Sequence, residues 1–376
     1  MTIEPKKKII LLSGSGDTVA WFRLDFLNEF LLRSYKVYVL APDIRDDLKP
    51  ELIDMGIEFL EIKLERKGFS LLNLISSVIE LIKLFKDIQP NIIFSYTHKA
   101  ILSGSLAAKI SGFSNIFSLV TGTGHIFDNK TKKEKVIKFI GSLALRFALR
   151  FNKLVFFQNP DDQALFLKNN LVLSQKTKLV NGSGVNLDKF SVSPLPPEPI
   201  FLCMARLIKS KGLEEFARAA KRVKKLYPEA RFILYGYPDE HPDSIDENEI
   251  IANWLNDFGV EYFGYSENPI DAIKECSVFV LLSYKEGTPR VVLEAMAMGR
   301  PIITTDAPGC RETVQNGVNG FLVPKFDDAE AAQAMIQLLS ANLRREMGQE
   351  SRNFCESKFD VLDVNKILLS EMGVTD

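Results

Sequence analysis

The stretch Ser283-Tyr284-Lys285-Glu286-Gly287-Thr288-Pro289-Arg290-Val291-Val292-Leu293-Glu294-Ala295-Met296-Ala297-Met298-Gly299-Arg300-Pro301 decides the fold. It follows the apolar run Cys276–Leu282, which reads as a buried strand. The order is therefore strand, a Glu-Gly-Thr-Pro loop, and a helix starting near Arg290. In an open parallel sheet, loops leaving the carboxyl ends of strands are where ligands bind. The first amides of the following helix lack intrahelical partners and carry partial positive charge, which suits an anion or sugar hydroxyls. Glu286 and Glu294 bracket this turn. Carboxylates accept hydrogen bonds from vicinal hydroxyls, so two facing one site suit a sugar and a ribose.

Outward from this stretch, strand and helix alternate along the whole chain. In the first half, 9–12, 36–40, 57–62, 91–95, 115–120 and 153–158 read as strands. Residues 22–34, 71–85, 99–111, 133–151 and 160–169 read as helices between them. The alternation restarts with strands at 200–205, 231–235, 260–263, 277–282 and 301–304, and ends in helices at 328–339, 343–358 and 361–372. Such alternation implies an α/β protein with parallel sheets covered on both faces. The Pro-rich stretch 191–199 has no periodicity and reads as a linker. The expected division is a first domain 1–190, the linker 191–199, a second domain 200–358, and a terminal helix 359–376 returning to the first domain.

Composition fits two globular domains. The 376 residues exceed what one core usually organises. With 46% hydrophobic and 25% charged residues the chain is not disordered, and a net charge of −1 argues against a general nucleic-acid binder. Cys203, Cys276, Cys310 and Cys355 are widely spaced, without a disulfide framework or zinc signature, which suits a reducing compartment. No apolar stretch reaches membrane-spanning length.

Cations accompany the carboxylates. Arg206 ends the first strand of the second domain and Lys211 opens the next helix, at the same sheet edge as Glu286. A guanidinium fork and a mobile ammonium at one sheet edge can meet an anion. Gly236, in Tyr235-Gly236-Tyr237, ends another strand and permits close backbone approach. Gly14-Ser15-Gly16 follows the first strand but lacks the third glycine of a dinucleotide fingerprint. Arg23 lies early in the next helix, and His98 opens a later one. Lys130 to Lys153 combines basic and apolar residues. It reads either as a helix resting on an anionic membrane or as a helix packed on its own sheet with a solvated basic face.

The string Ser283 to Gly309 resembles the Glu-x7-Glu signature of retaining glycosyltransferases of family 4. The resemblance extends over essentially the whole chain and is stronger in the second half. It implies the GT-B fold, two Rossmann-like domains facing a central cleft. It also implies that Glu286 holds the donor sugar, Glu294 the ribose, and Arg206 and Lys211 the donor phosphates. Gly14, Ser15 and Gly16 would approach donor phosphates and acceptor. The segment after Gly264 would contact the base, with Tyr265 as candidate, although a tyrosine covering the core fits as well. Gly287, Thr288 and Pro289 belong to the donor loop. His125 lies slightly later than the family's sugar-contacting histidine, and Arg23 and His98 are candidates on the acceptor side.

The wording Ser283–Gly287 and His98-Lys99 resembles members that add N-acetylgalactosamine to a lipid-linked sugar. The implied activity is metal-independent transfer of a hexose or N-acetylhexosamine from a UDP-sugar, the co-substrate, with no further cofactor. The implied acceptor is a polyprenyl-diphosphate-linked sugar in surface-glycan biosynthesis. The implied location is cytoplasmic, peripheral on the inner face of the membrane. Two other readings stay open on sequence: a GT-B sugar-nucleotide epimerase or phosphorylase, and a non-catalytic glycan-assembly subunit.

Overall fold

A computed structural model describes residues 6–64, 70–123, 132–239 and 243–375. It divides the chain into two compact units, residues 1–183 with 362–376 and residues 184–361.

The first unit is built on a seven-stranded parallel sheet of order β3-β2-β1-β4-β5-β6-β7. Its strands are β1 (Lys8–Leu12), β2 (Lys36–Ala41), β3 (Glu58–Glu61), β4 (Ile92–Tyr96), β5 (Ile116–Val120), β6 (Leu154–Phe157) and β7 (Thr177–Leu179). The central strands read as continuous apolar runs because both sheet faces are covered. On one face Phe26, Leu27, Phe30 and Leu52 pack with Val364, Leu368, Leu369 and Met372 of the helix Val361–Met372. On the other face Val78, Leu81, Phe85, Ala107 and Ala108 form the core.

The second unit carries a six-stranded parallel sheet of order β10-β9-β8-β11-β12-β13. Its strands are β8 (Ile200–Met204), β9 (Arg231–Tyr235), β10 (Val260–Tyr262), β11 (Val278–Leu281), β12 (Ile302–Thr305) and β13 (Gly320–Val323). All four cysteines are buried free thiols within these packed layers.

The Pro-rich stretch lies inside the second unit. Arg300, fully buried, donates to the carbonyls of Ser193 at 2.7 Å and Pro194 at 3.3 Å, and also to those of Ile273, Lys274 and Met298. Arg344 donates to the Pro197 carbonyl at 2.7 Å. The chain instead passes between units at 183–184 and 361–362.

Some elements differ from the periodicity. The single helix expected over 22–34 is two, Gly16–Phe22 and Leu24–Leu32, broken at Arg23. Strands β7 and β13 have no expected counterpart. β7 is only three residues long, and β13 begins on Gly320, whose φ of +156° suits glycine.

Candidate donor and acceptor sites

In the second sheet the strand order reverses between β8, which continues to β9, and its other neighbour β11. Loops leaving two such strands part to opposite faces and leave a crevice at their carboxyl ends. The loop after β8 carries Arg206 and a 3-10 turn, Lys209–Lys211, ending at Gly212. Lys211 is thus in the turn just before the helix Leu213–Lys224, not in its first turn. Gly212 has φ +67°, and a Cβ there would lie 2.1 Å from the Leu282 carbonyl oxygen, so the two loops touch through backbone.

Lys211 and Glu286 form an ion pair across this junction, both largely shielded from solvent. The Glu286 amide donates to the Pro308 carbonyl at 2.9 Å. Gly309, at φ +77°, lets its chain pass where a Cβ would come within 2.4 Å of the Glu286 and Gly287 oxygens. Arg206 pairs with Asp239 at a more exposed position.

The helix Arg290–Ala297 starts behind Gly287 and Thr288, with Pro289 at its N-cap and no side-chain cap. Glu294, one turn in, is buried and accepts from Arg290 Nε at 3.2 Å. Burial pushes its carboxyl pKa up, against the pull of Arg290. Arg290 also donates to the Gly184 carbonyl at 2.6 Å.

Gly236 backs onto the β8 loop, where a Cβ would meet the Ala205 oxygen at 2.4 Å. Its amide donates to the Gly264 carbonyl at 2.8 Å. Tyr265 is half-exposed and set edge-on to Tyr237, with ring centroids 5.6 Å apart. Carboxylates, cations, a helix start and these glycine turns therefore share one sheet edge.

One feature of the Glu286 loop leaves no local signal in the sequence. Tyr284 donates to the buried Glu215 carboxylate at 2.9 Å and packs against Phe326 at 4.2 Å between centroids. Its amide donates to Ser210 O at 2.9 Å, so Tyr284 ties the Glu286 loop to the Lys209–Lys211 turn. Tyr284 lies within the quoted motif, but Glu215 is 69 residues away and no local pattern joins them.

The first sheet has the same kind of switch point between β1 and β4. The Gly14–Gly16 turn meets Thr97, and a Cβ on Gly14 would lie 2.7 Å from Thr97 Oγ1. Gly16 donates to the Asp43 carbonyl at 2.7 Å. Ser15 O accepts from Ser13 Oγ and Thr18 Oγ1, and Thr18 Oγ1 lies 2.9 Å from Tyr96 Oη. Thr97 adopts φ +71°, a strained conformation for a β-branched residue, just before the helix His98–Ile110.

Burial pushes the His98 pKa down to about 4, so the imidazole is neutral at physiological pH. Among the described residues its Nδ1 has no hydrogen-bond partner. Arg23, a candidate on the acceptor side, is buried at the helix break, over the Tyr96 ring at 5.2 Å. His125 and the start of the Lys130–Lys153 segment lie outside the described residues.

Comparison with known proteins agrees with this architecture. Residues 186–354 match the model for glycosyl transferases group 1, and residues 8–159 match the glycosyl transferase 4-like model. The chain is 28% identical to a Campylobacter jejuni N,N'-diacetylbacillosaminyl-diphospho-undecaprenol alpha-1,3-N-acetylgalactosaminyltransferase, covering 93% of this chain and 95% of that one. It is 25% identical to an Escherichia coli UDP-Gal:alpha-D-GlcNAc-diphosphoundecaprenol alpha-1,3-galactosyltransferase, over 80% of each chain. Its fold is similar to Anabaena HepE, solved in complex with UDP and glucose. That match has a TM-score of 0.79 and 19% identity, covering 98% of this chain and 100% of that one. Two family models thus account for both halves, and the chain belongs to the group 1 and 4-like glycosyl transferases, enzymes built on the GT-B fold.

Proposed function

We propose that this enzyme moves a hexose or N-acetylhexosamine from a UDP-sugar, with retention of anomeric configuration, to a polyprenyl-diphosphate-linked sugar in surface-glycan biosynthesis. The observation that carries the reading is the Lys211–Glu286 pair at the β8/β11 switch point, beside a helix start with no side-chain cap. An incoming diphosphate competes with the Glu286 carboxylate for Lys211 and frees that carboxylate to accept the donor sugar's hydroxyls. Arg206, paired with Asp239, can make the same exchange. Glu294 accepts the ribose diol, and Tyr265 stands at the base end.

In the reaction the bond between the anomeric carbon and the UDP oxygen breaks, leaving its electron pair on the diphosphate. The acceptor hydroxyl attacks from the same face, and its proton passes to the departing phosphate oxygen. Arg206 and Lys211 meet charge that grows along this path, so they act more strongly in the transition state than in the ground state. The lipid-linked acceptor is supported by the names of the two undecaprenyl-diphosphate-dependent relatives. A cytoplasmic position, peripheral on the inner face of the membrane, suits such an acceptor, and the basic composition of the segment Lys130–Lys153 supports contact with an anionic surface. Among the described residues no helix is long and apolar enough to cross a membrane.

The test is turnover with saturating UDP-sugar and a polyprenyl-diphosphate-linked acceptor. Arg206→Ala and Lys211→Ala should each lower kcat about 10²–10³-fold with smaller changes in donor affinity. Arg206→Lys should recover only part of the loss, because an ammonium lacks the two-pronged geometry. Turnover should persist in excess EDTA. Wild-type kcat in all three variants, or a loss in EDTA reversed by manganese, would overturn the reading.

A further inference from the structure

The helix Leu71–Ile88 buries Ser77, Val78, Leu81, Phe85 and Ile88. Its opposite face is also apolar at the start: Leu71, Leu72, Ile75 and Ile79 are 48–78% exposed. A surface helix ordinarily turns polar residues outward, so a helix apolar on both faces has a second apolar neighbour to meet. Further along, that outer face becomes basic, with Lys83 and Lys86 exposed.

The helix Lys132–Leu149 repeats the pattern at the same spacing. Phe139, Ile140, Leu143 and Phe147 are 47–65% exposed, and the exposed Arg146 and Arg150 lie at the C-terminal end of the stripe. Both helices pack against the helix His98–Ile110, one on each side, over the same face of the first sheet. The small residues Ala100, Ser103, Gly104, Ser105 and Ala107 keep this middle helix buried between its neighbours. The two apolar stripes therefore flank one surface of the first unit.

We propose that this surface seats the first unit in the interfacial layer of an anionic bilayer, with the Leu71–Ile79 stripe as the inserting element. Apolar side chains would enter the acyl boundary while Lys83, Lys86, Arg146 and Arg150 meet headgroups. Charge selects lipid over a second copy of the chain. Self-pairing of a face bordered by these four cations, with Asp87 the exposed acidic exception among the described residues of the two helices, would set like charges together, whereas anionic headgroups neutralise them. The inference adds hydrophobic insertion to the electrostatic contact proposed above. It rests on the lipid-linked acceptor for its purpose, and its test needs neither acceptor nor turnover.

The experiment is co-flotation of the full chain with vesicles of phosphatidylcholine and phosphatidylglycerol in roughly equal amounts. Leu72→Gln/Ile75→Gln/Ile79→Gln should weaken vesicle binding at least about tenfold, since three apolar contacts are lost. The cooperative thermal transition of the first unit, which carries the three substitutions, should stay at the wild-type temperature and shows that the variant is folded there. Binding should fall but persist at about 1 M salt, where surface charge is screened. Because all four native thiols are buried, Ile75→Cys can be labelled selectively with an environment-sensitive dye, whose emission should shift to the blue on vesicles. Wild-type binding by the triple variant, or an unshifted dye, overturns the proposal. So does a wild-type dimer in ultracentrifugation that the triple variant dissociates, since the occupant is then a second copy. Vesicle binding without turnover on any lipid-linked sugar would leave this inference standing and remove the functional one.

Discussion

In the ribose role proposed for it, Glu294 would join burial and recognition in one side chain. Loss of water raises its pKa, and the nearby Arg290 offsets only part of that rise. A ribose diol donates two hydrogen bonds, and a protonated carboxyl offers fewer lone pairs to receive them. UDP affinity should therefore fall on acidification, starting at a higher pH than for a solvated glutamate. The same carboxyl takes up its proton in the folded chain before the unfolded chain does. It therefore costs stability above that pH, and the cost disappears once it is protonated. Glu294→Gln should bind UDP about ten-fold or more weakly at neutral pH, from the loss of a charge-assisted acceptor, and should lose the acid limb. Calorimetric titrations of both proteins across pH test this. Superimposable pH profiles would remove Glu294 from the ribose role.

Among elements, the switch-point loops were the most legible part of the chain. A strand, a glycine turn and a helix leave a local pattern, so Glu286, Glu294, Arg206 and Lys211 could be placed at one sheet edge from spacing alone. Their pairing could not, because Lys211 and Glu286 are 75 residues apart. The break at Arg23 was hidden too, since the apolar spacing of Phe22, Leu24 and Phe26 runs through it. The Pro-rich stretch misled for a similar reason: its anchors, Arg300 and Arg344, are distant in sequence and look like surface cations. Arg300→Met should leave several buried carbonyls without a donor, at a cost of about 1–3 kcal/mol for each that finds no water. A total near 3 kcal/mol would lower the melting temperature of a unit this size by about 6–12 °C. Arg300→Lys should recover part of it. An unchanged melting temperature in Arg300→Met would show that the stretch is held by other contacts.

At the scale of the whole molecule, the first unit is discontinuous and the second is not. Val364, Leu368, Leu369, Met372 and Val374 complete a core whose other members precede residue 181. Burying such side chains contributes about 1.5–3 kcal/mol each, which together rivals the entire stability of a domain. A chain ending at residue 361 should keep a second unit that UDP protects against heat and proteolysis, while the first unit loses its cooperative transition. Two intact transitions in the truncated chain would contradict this. The same connectivity sets an order of events during synthesis. Residues 184–361 leave the ribosome as one uninterrupted run, but β1 to β7 must wait for a helix encoded about 190 residues after Ser183. At about 5–20 residues per second, that wait lasts roughly 10–40 s. For that interval a nascent sheet stands with one apolar side uncovered, so chaperones have most to do on the half of the protein that is translated first.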